Sequence, residues 1–452
     1  MVLAGALAFF VLSPSSHAQA RPSPVGTRHG VGLSRPTEGP PSTVSSPPVW
    51  RVAWASTMAW GYGTGTDTTV RELATVPIGG AAVRVRISNL FGNRPLIVGA
   101  ATIGVGTGAA ASVVPGSIIE LSFSGAGGAT IPPGGSIDSD PAPLGVTDGQ
   151  ELAVSVFVSG TDLMTVHPCC SGPIVSYAAP NGAGNLTAAP SGAAFGYASA
   201  WGRLVDAVDV LAPAGTPGSI VVLGDSISDG FNSTLRWTDV LQRRIDLLPP
   251  TQRRAVVNEA ITANALTEVT PSDATTGGGP AGLSRLGPDA LDLPGVSEVV
   301  VFLGTNDLYF GADATQVIAG LAQAAAAAHA AGVRAAVVTL LPRVGSESWN
   351  PTRQGYLEQV NHWISTSSAF DAVLDLAPVV ADVYGGACAP SALLPAFDSG
   401  DHLHPNAAGD VVMADVVDTA LLGMPEAPLV PTPVTPVPTP GCPGGLAVSA
   451  KS

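Results

Sequence analysis

Three separated stretches of this 452-residue chain hold side chains that together could carry out acyl transfer. Ser226 follows the apolar run Ile220 to Leu223 in SIVVLGDSISDG, Asn306 lies in VVVFLGTNDL, and Asp401 and His404 lie in GDHLHPN. A serine can attack a carbonyl, a histidine can take its proton, an aspartate can orient the histidine, and an asparagine amide can stabilise an oxyanion. Taken alone, each stretch is also compatible with an ordinary turn, because Gly, Asp, Asn and Ser are common turn residues.

Two of these roles have competitors nearby in the sequence. His402 and His404 both follow Asp401, and the Asp-x-x-His spacing favours His404 as the base, which leaves His402 as a solvent-facing neighbour. Ser228 is a rival nucleophile, but it lies beyond the turn, where a serine typically caps the following helix. We interpret Asp225, directly before the candidate nucleophile, as a residue that hydrogen-bonds the turn rather than as the acid of the triad.

The elements that would position these residues alternate between strand and helix after Pro217. Short apolar runs predict strands buried on both faces of a parallel sheet, and longer segments between them predict helices. This alternation predicts a doubly wound parallel sheet, whose strands end at one ligand-binding edge. The predicted strands are Ile220–Leu223, Ala255–Asn258, Glu298–Leu303, Arg334–Leu340 and Ala372–Leu376, and the clearest predicted helices are Ala314–Ala331, Thr352–Thr366 and Asn406–Leu422.

A different period governs residues 49–212. Runs such as Val83 to Ile87 alternate apolar and polar residues, and glycine and proline clusters separate these runs at strand-length intervals. A period of two with frequent turn signals predicts an all-β domain, most simply an antiparallel sandwich with jelly-roll-like character. His167 and Tyr177 belong to this region, and we interpret them as ordinary loop and strand residues rather than as the lining of a shared cleft.

Composition and the first residues bear on partners and location. The formal net charge is −15 and Lys451 is the single lysine, so no basic stripe is available for nucleic acid or an anionic membrane surface. Residues 1–20 have an apolar core and end in the small-residue site Ala18-Gln19-Ala20, so we expect a signal peptide, cleavage before Arg21 and secretion. The apolar runs are too short to span a bilayer, and we expect no stable membrane insertion.

Low-complexity segments flank the two predicted domains, 49–212 and 216–423. Residues 21–48 predict a disordered linker, and the Pro/Thr-rich residues 424–452 an extended tail. The four cysteines, Cys169, Cys170, Cys388 and Cys442, allow three pairings and lack the C-x-x-C spacing of a zinc site. Because an extended tail can reach back across the domain, we hypothesise a Cys388–Cys442 disulfide. The alternative is a free tail whose cysteine is unpaired or joins another chain.

Residues 218–422 resemble the SGNH, or GDSL, hydrolases, a family of serine esterases, lipases and carbohydrate deacylases on a flavodoxin-like sheet. GDSIS matches the first motif of the family and implies that Ser226 is the nucleophile. GTND implies that Asn306 is an oxyanion donor, and DHLHP implies Asp401 as orienting acid and His404 as base. The β region, with TVRELATVPIGGAAVRVRISNLFG, resembles the front domain of exported two-domain members common in bacteria.

The second family motif departs from its usual pattern. NEAITAN has Ala260 and Ala263 where the family usually has glycine, in a pattern like N-x-G-I-S-G-N. The resemblance implies that the backbone amides of Ser226 and Ala263 join Asn306 in the oxyanion hole. An alanine can replace glycine there without strain only if its φ is negative.

The prediction is therefore a secreted serine carboxylester hydrolase with a Ser226–His404–Asp401 triad, an acyl-enzyme intermediate and no metal or organic cofactor. Esters of polysaccharides and lipid or short-chain acyl esters both fit as substrates, and nothing in the sequence points to an oligomeric state. The alternative is an exported polysaccharide-binding protein whose hydrolase domain is degenerate. The complete set of Ser, Asn, Asp and His favours the enzyme.

Overall fold

The computed structural model describes residues 47–168, 175–268, 278–382 and 391–422. Within these ranges the β region consists of strands joined by turns, with one 3-10 turn at Gly192–Ala194. The strands are β1 (Val49–Ala55), β2 (Trp60–Val76), β3 (Val83–Asn89), β4 (Leu96–Val105), β5 (Ile119–Glu120), β6 (Ala129–Ile131), β7 (Gly135–Asp138), β8 (Gln150–His167), β9 (Ser176–Ala178), β10 (Tyr197–Ser199), β11 (Gly202–Arg203) and β12 (Val205–Ala212).

These strands form two antiparallel sheets. One has the order β1-β12-β3-β7, and the other has the order β10-β9-β2-β8-β4-β5, with β6 also paired to β4 and β11 to β8. On β3, Val83, Val85 and Ile87 are buried while Arg84 and Arg86 are partly exposed, as alternating side chains on a sheet with one core face require. The prediction of an all-β region ahead of the α/β region is confirmed.

From Ser219 onward the sheet is parallel. Its strand order is second, first, third, fourth, fifth in chain sequence, which is the flavodoxin-like order. The predicted flavodoxin-like, doubly wound α/β fold is therefore confirmed. The five strands are β13 (Ser219–Gly224), β14 (Val256–Asn258), β15 (Val296–Phe302), β16 (Arg334–Val338) and β17 (Ala372–Leu374).

Helices connect these strands, and those that begin at Ser226, Ala314 and Pro351 have a side-chain cap. At the start of α5 (Ala314–Ala330), the Asp313 carboxylate accepts the Gln316 N–H at 2.9 Å and the Gln316 side chain accepts the Asp313 N–H at 3.0 Å. No helix in the described ranges is both long and apolar enough to cross a membrane. The other helices are α1 (Ser226–Asp229), α2 (Trp237–Ile245), α3 (Gly282–Leu286), α4 (Thr305–Phe310), α6 (Pro351–Thr366), α7 (Ala377–Val380) and α8 (Ala407–Leu422), with a 3-10 turn at Pro250–Gln252 and a π-helical turn at Gly287–Leu291.

Both faces of the parallel sheet are buried. On β13, Val221 and Leu223 belong to one hydrophobic cluster, and Ile220 and Val222 belong to another on the opposite face. The first cluster also contains the apolar residues between the antiparallel sheets, so one continuous core joins the two regions. Because the described residues pack as one compact unit, the division into domains 49–212 and 216–423 stays a prediction.

Hydrogen bonds reinforce this shared core where the β region meets the base of the parallel sheet. The Ser219 hydroxyl donates to the Val52 carbonyl at 2.7 Å, and the Val52 N–H donates to the Pro294 carbonyl at 2.7 Å. The β region is therefore a fixed part of the scaffold beneath β13, the strand that leads to Ser226.

Several predictions fall on residues that the structure does not describe. These are the signal peptide, nearly all of the linker 21–48, the tail 424–452 and all four cysteines. Cleavage before Arg21 and the Cys388–Cys442 disulfide therefore stay predictions.

Candidate active site

Ser226 lies at the point where β13 turns into α1. The Asp225 carboxylate caps this helix by accepting the Ile227 N–H at 3.0 Å, as predicted for a turn-forming residue. A side chain at Gly224 would come within 2.7 Å of Ser228, so glycine permits the tight turn that follows the strand. Ser226 is the first residue of α1, where a backbone N–H has no acceptor within the helix.

The Ser226 hydroxyl, His404 and Asp401 form a continuous hydrogen-bonded line. Ser226 Oγ lies 2.8 Å from His404 Nε2, and His404 Nδ1 lies 2.6 Å from Asp401 Oδ2. Asp401 Oδ1 also accepts the backbone N–H groups of Leu403 and His404, and Asn232 donates to Oδ2 at 2.9 Å. The Asp-x-x-His spacing therefore lets one carboxylate hold both its own loop and the histidine ring.

Charge and hydrogen bonding keep Asp401 ionised. Burial raises the pKa of this carboxyl, but the bonds from the His404 ring and backbone outweigh burial and leave the pKa well below its ordinary value. An ionised Asp401 accepts the Nδ1–H of His404, so Nε2 presents a lone pair to the Ser226 hydroxyl. This is the tautomer that a general base requires.

The competitors for these roles have other partners. His402 is exposed, and its Nδ1 lies 2.7 Å from Asp398 Oδ2. Ser228 is fully buried inside α1, and its hydroxyl accepts the indole N–H of Trp237 at 3.0 Å. The interpretation of Ser228 as a helix cap is wrong, because the helix starts three residues earlier than that role requires and Asp225 is its N-cap.

Asn306 lies at the end of the neighbouring strand β15, at the start of α4. The turn passes through Gly304, whose φ of 127° is unfavourable for residues with side chains. Asn306 Nδ2 donates to the Asn264 carbonyl at 2.9 Å, and Asn264 belongs to the second predicted motif. Since a side-chain amide carries two hydrogens, this bond fixes the amide and leaves one N–H for an oxyanion.

Ala263, the second predicted amide donor, has a positive φ of 61°. This is the left-handed conformation in which alanine is strained and glycine is not. No described residue accepts a hydrogen bond from the Ala263 N–H, so the group is available to a ligand. Ala260, the other alanine at a family glycine position, is buried and has an ordinary negative φ.

A cavity of about 300 Å³ joins all the predicted site residues. Ser226, Ala263, Asn306, Asp401 and His404 all contribute to its lining. The remaining wall is half aromatic or apolar and half polar or charged: Phe231, Tyr309, Phe310 and Leu403 on one side of that division, and Thr262, Arg343, Ser346 and Glu347 on the other. The structure thus brings together every residue that the motifs predicted, from four separate loops.

Arg343 also lines this cavity and was missed by the sequence analysis. Its guanidinium donates to the Thr305 carbonyl at 3.2 Å and to the Thr305 hydroxyl at 2.8 Å, and it lies 4.3 Å from the Trp349 ring. Burial lowers the pKa of Arg343 to about 10, so the side chain is a cation at neutral pH. Arg343 follows the predicted strand Arg334–Leu340 by a few residues, so the sequence could have placed it at the ligand-binding edge of the sheet.

A second arginine, Arg285, lies buried beneath the site. It donates to the carbonyls of Gly224 at 3.2 Å and Glu259 at 2.5 Å, and to the Asn264 side chain at 2.8 Å. These bonds tie the turn before Ser226 to the loop that carries Ala263. A lone arginine in the apolar stretch GLSRL gives no indication of this role in the sequence.

The two residues of the β region behave differently from each other. His167 is a strand residue and is not among the cavity-lining residues, as interpreted, but it is buried and its Nε2 lies 3.3 Å from the Asp229 carboxylate on α1. Tyr177 packs with a small separate cluster around Phe195, away from the cavity. Across the described ranges, no group of three or more His, Cys, Asp or Glu residues is arranged to hold a metal ion.

Comparison with known proteins follows the α/β region. Residues 222–411 match the GDSL-like lipase/acylhydrolase family. None of the curated proteins matches the chain.

Similar solved structures align with less than half of this chain. The lipase/acylhydrolase from Enterococcus faecalis is 21% identical, covers 44% of this chain and 92% of its own, and has a TM-score of 0.33. The aryl esterase of M. smegmatis is 18% identical over 45% of this chain and 99% of its own, with a TM-score of 0.33. The psychrotrophic esterase EstA from Pseudoalteromonas sp. is 16% identical, covers 45% of this chain and 97% of its own, and has a TM-score of 0.34.

Proposed function

We propose that the protein is a serine esterase that works through an acyl-enzyme intermediate, since residues 222–411 match the GDSL-like lipase/acylhydrolase family. The observation that supports this most is the unbroken line from Asp401 through His404 to Ser226, with distances of 2.6 and 2.8 Å. A degenerate hydrolase domain in a polysaccharide-binding protein has no need to keep this alignment.

In the proposed first half-reaction, His404 Nε2 takes the Ser226 proton as Oγ bonds to the ester carbonyl carbon. The carbonyl oxygen becomes an oxyanion, for which the amides of Ser226, Ala263 and Asn306 provide donors. Asp401 stabilises the imidazolium that forms at His404. When the ester bond breaks, His404 returns its proton to the departing alcohol, and the acyl group remains on Ser226.

The second half-reaction uses the same groups. Water gives a proton to His404 Nε2 and attacks the acyl-enzyme, and the oxyanion forms again at the same donors. The intermediate collapses, Ser226 recovers its proton from His404, and the carboxylic acid leaves. Each donor removed from such an oxyanion hole costs about 3 kcal/mol, or two to three decades in rate.

The size and lining of the cavity support short acyl groups over long lipid chains. Its volume of about 300 Å³ is at the lower end of the range for ligand pockets. Phe231, whose ring centroid lies 4.8 Å from that of His404, supplies an apolar wall next to the reacting serine. This wall restricts the acyl group and does not discriminate between a carbohydrate and a small-molecule alcohol as the other half of the ester.

A series of p-nitrophenyl esters from acetate through octanoate to palmitate tests the reaction and the acyl preference together. We expect the highest kcat/KM for acetate or butyrate, a steep decline beyond, and no turnover by Ser226→Ala. Equal rates across the series would contradict the short-chain preference. No hydrolysis of any ester, alongside binding to a polysaccharide, would favour the degenerate-domain alternative.

We also propose that the protein is exported, as the segment before Arg21 suggests. The test is N-terminal sequencing of protein recovered from the culture medium of an expressing bacterium. A mature chain that begins at Arg21 is expected, and retention of the whole chain inside the cell would contradict export.

A further inference from the structure

His167, the last residue of β8, reaches from the β region to the helix that carries the nucleophile. Its side chain is about nine-tenths buried. Nδ1 lies 2.8 Å from the Thr57 carbonyl, and Nε2 lies 3.3 Å from Asp229 Oδ1. Asp229 is the last residue of α1, one turn of helix from Ser226. The contact therefore crosses from one region of the molecule to the edge of the catalytic site in the other.

The partners of the two ring nitrogens determine the protonation of His167. A carbonyl oxygen only accepts hydrogen bonds, so Nδ1 must carry a hydrogen. An ionised carboxylate also only accepts, so Nε2 must carry one as well. Burial raises the pKa of Asp229, but the charge of His167 and the hydrogen bonds that Asp229 receives outweigh burial and lower it. The geometry is therefore that of an imidazolium paired with a carboxylate.

Other charged groups near this pair favour the same assignment. Burial raises the pKa of the Glu72 and Glu259 carboxyls, and this effect is larger than the opposing effect of the His167 charge, which lowers both. The pKa of Glu72 is raised to about 8. Near neutral pH Glu72 is therefore protonated, whereas the lowered pKa of Asp229 leaves that carboxylate as the counter-ion of His167. The arginines near this pair interact electrostatically with the carboxyl groups. Arg203 interacts with Glu72, and Arg236 interacts with Asp229. Arg285 interacts with both Glu259 and Asp229.

From Asp229 the contacts continue to the oxyanion hole. Its second oxygen, Oδ2, accepts the Thr262 N–H at 3.1 Å and the Thr262 hydroxyl at 2.6 Å. Thr262 directly precedes Ala263, which lines the cavity and has a strained, positive φ of 61°. A residue held in this conformation needs neighbours that fix the turn. Asp229 accepts two hydrogen bonds from Thr262, the residue before Ala263, and His167 Nε2 lies 3.3 Å from its other oxygen.

We propose that His167 is a positioning residue of the active site: as an imidazolium it orients Asp229, which holds the Thr262–Ala263 turn so that the Ala263 amide meets the oxyanion. This proposal rests on the proposed esterase function. Through His167, the β region would contribute a positioning residue to the active site. It also predicts two histidines with opposite requirements, since His404 must be neutral to act as a base and His167 must be charged.

The pH dependence of kcat/KM separates this role from simple structural support. If the imidazolium of His167 is required, kcat/KM should fall at alkaline pH, because a deprotonated Nε2 would turn a lone pair toward the Asp229 carboxylate. His167→Ala should lower kcat about 10- to 100-fold with little change in KM, the scale expected for a misplaced catalytic group. His167→Gln keeps a donor that does not titrate, so it should recover part of kcat and lose the alkaline decline.

Arg253→Gln is the matched control. Arg253 forms another ion pair between the two regions, with Asp148 at 2.9 Å, but this pair is partly exposed and has no contact with Asp229. The variant should keep the wild-type kcat and pH profile. Equal losses in Arg253→Gln and His167→Ala would reduce His167 to a general interface contact and overturn the proposal.

Nitrogen NMR of histidine-labelled wild-type protein tests the proposal without a variant that must fold. Both ring nitrogens of His167 should be protonated at pH 7, and a neutral tautomer there would overturn the proposal. So would a His167→Gln enzyme that folds and retains the alkaline decline. If the wild-type protein hydrolyses no ester, the proposed function fails, and the NMR result still decides the charge state of His167.

Discussion

Two histidine–aspartate pairs lie at opposite ends of the same short helix, α1. At its start, His404 lies 2.6 Å from Asp401, and its other nitrogen faces the Ser226 hydroxyl. At its end, His167 lies 3.3 Å from Asp229, and its other nitrogen faces a backbone carbonyl. A hydroxyl can donate to a neutral imidazole, whereas a carbonyl cannot. The same two residue types can therefore make a base in one place and a fixed cation in the other.

The pairs also differ in how their partners meet. Asp401 and His404 are three residues apart in one loop, and Asp401 caps the backbone of that loop. His167 and Asp229 come from the antiparallel and parallel regions, and only the packing of the two brings them together. The local pair is partly exposed at Asp401, while the long-range pair is buried on both sides.

Removing the nucleophile or the base tests the pair at the start of α1 and should have the largest effect. Ser226→Ala and His404→Ala should each lower kcat by about four to six orders of magnitude, and the double variant should lose no more, because the residues act as a unit. Kinetics with a chromogenic acetate ester measure this. Ser228→Ala serves as the control and should stay active. Full activity in Ser226→Ala would show that another residue is the nucleophile.

Asp401→Asn should lower kcat by about three to four orders of magnitude. The backbone N–H groups at Oδ1 would hold the amide oxygen there, so the new NH2 would face His404 Nδ1. Nδ1 would then accept, Nε2 would carry the proton, and the ring could not take a proton from Ser226. Steady-state kinetics check the loss. A variant within tenfold of wild type would show that Asp401 does not set the tautomer.

Asp229→Asn is the matched change at the other end of α1 and should be far milder. Thr262 would hold the amide oxygen at Oδ2, and the new NH2 would donate to His167 Nε2, which becomes a neutral acceptor. The contact survives, so we expect kcat to fall by at most about tenfold and the alkaline decline of kcat/KM to disappear. A loss as large as that of Asp401→Asn would contradict the difference between the two pairs.

Glu72→Gln tests, through the pH dependence of stability, whether the Glu72 carboxyl near His167 is protonated. Burial raises the pKa of Glu72 from 4.5 to about 8 in the folded protein. Between these pH values the folded state binds more protons than the unfolded chain, so the free energy of unfolding falls as pH rises. Glu72→Gln should make this fall less steep, measured by denaturant unfolding at pH 5 and pH 8. An unchanged slope would show that Glu72 does not hold a proton.

Ala263→Gly should have the smallest effect, and it should be favourable. Glycine relieves the positive φ that Asp229 and Thr262 impose, so we expect a gain of about 1 kcal/mol in stability. For a chain of this size that is a rise of about 2 °C in melting temperature. Because the N–H remains, kcat should stay the same or increase slightly. Large losses in both quantities would show that the turn does not hold Ala263 in a strained conformation.

The sequence by itself determined the order of elements and the identity of the residues at the ends of the strands. Period-two and apolar patterns are local, and they predicted both the antiparallel region and the five parallel strands within a few residues of their observed bounds. The motif residues Ser226, Asn306, Asp401 and His404 follow from the same local order. The rule that parallel strands end at one edge of a sheet predicts that these residues lie together.

Only the tertiary structure decided what surrounds these residues. Residues distant in the chain hold the site: Arg285 ties Gly224 to Asn264, and Arg343 holds Thr305 beside Asn306. Ala263, with its positive φ, follows Thr262, which donates two hydrogen bonds to Asp229, and the ring of His167 faces acceptors from two distant segments. Such contacts join segments that have no spacing in common, so no pattern along the chain predicts them, and they exist only when the two regions pack on one core.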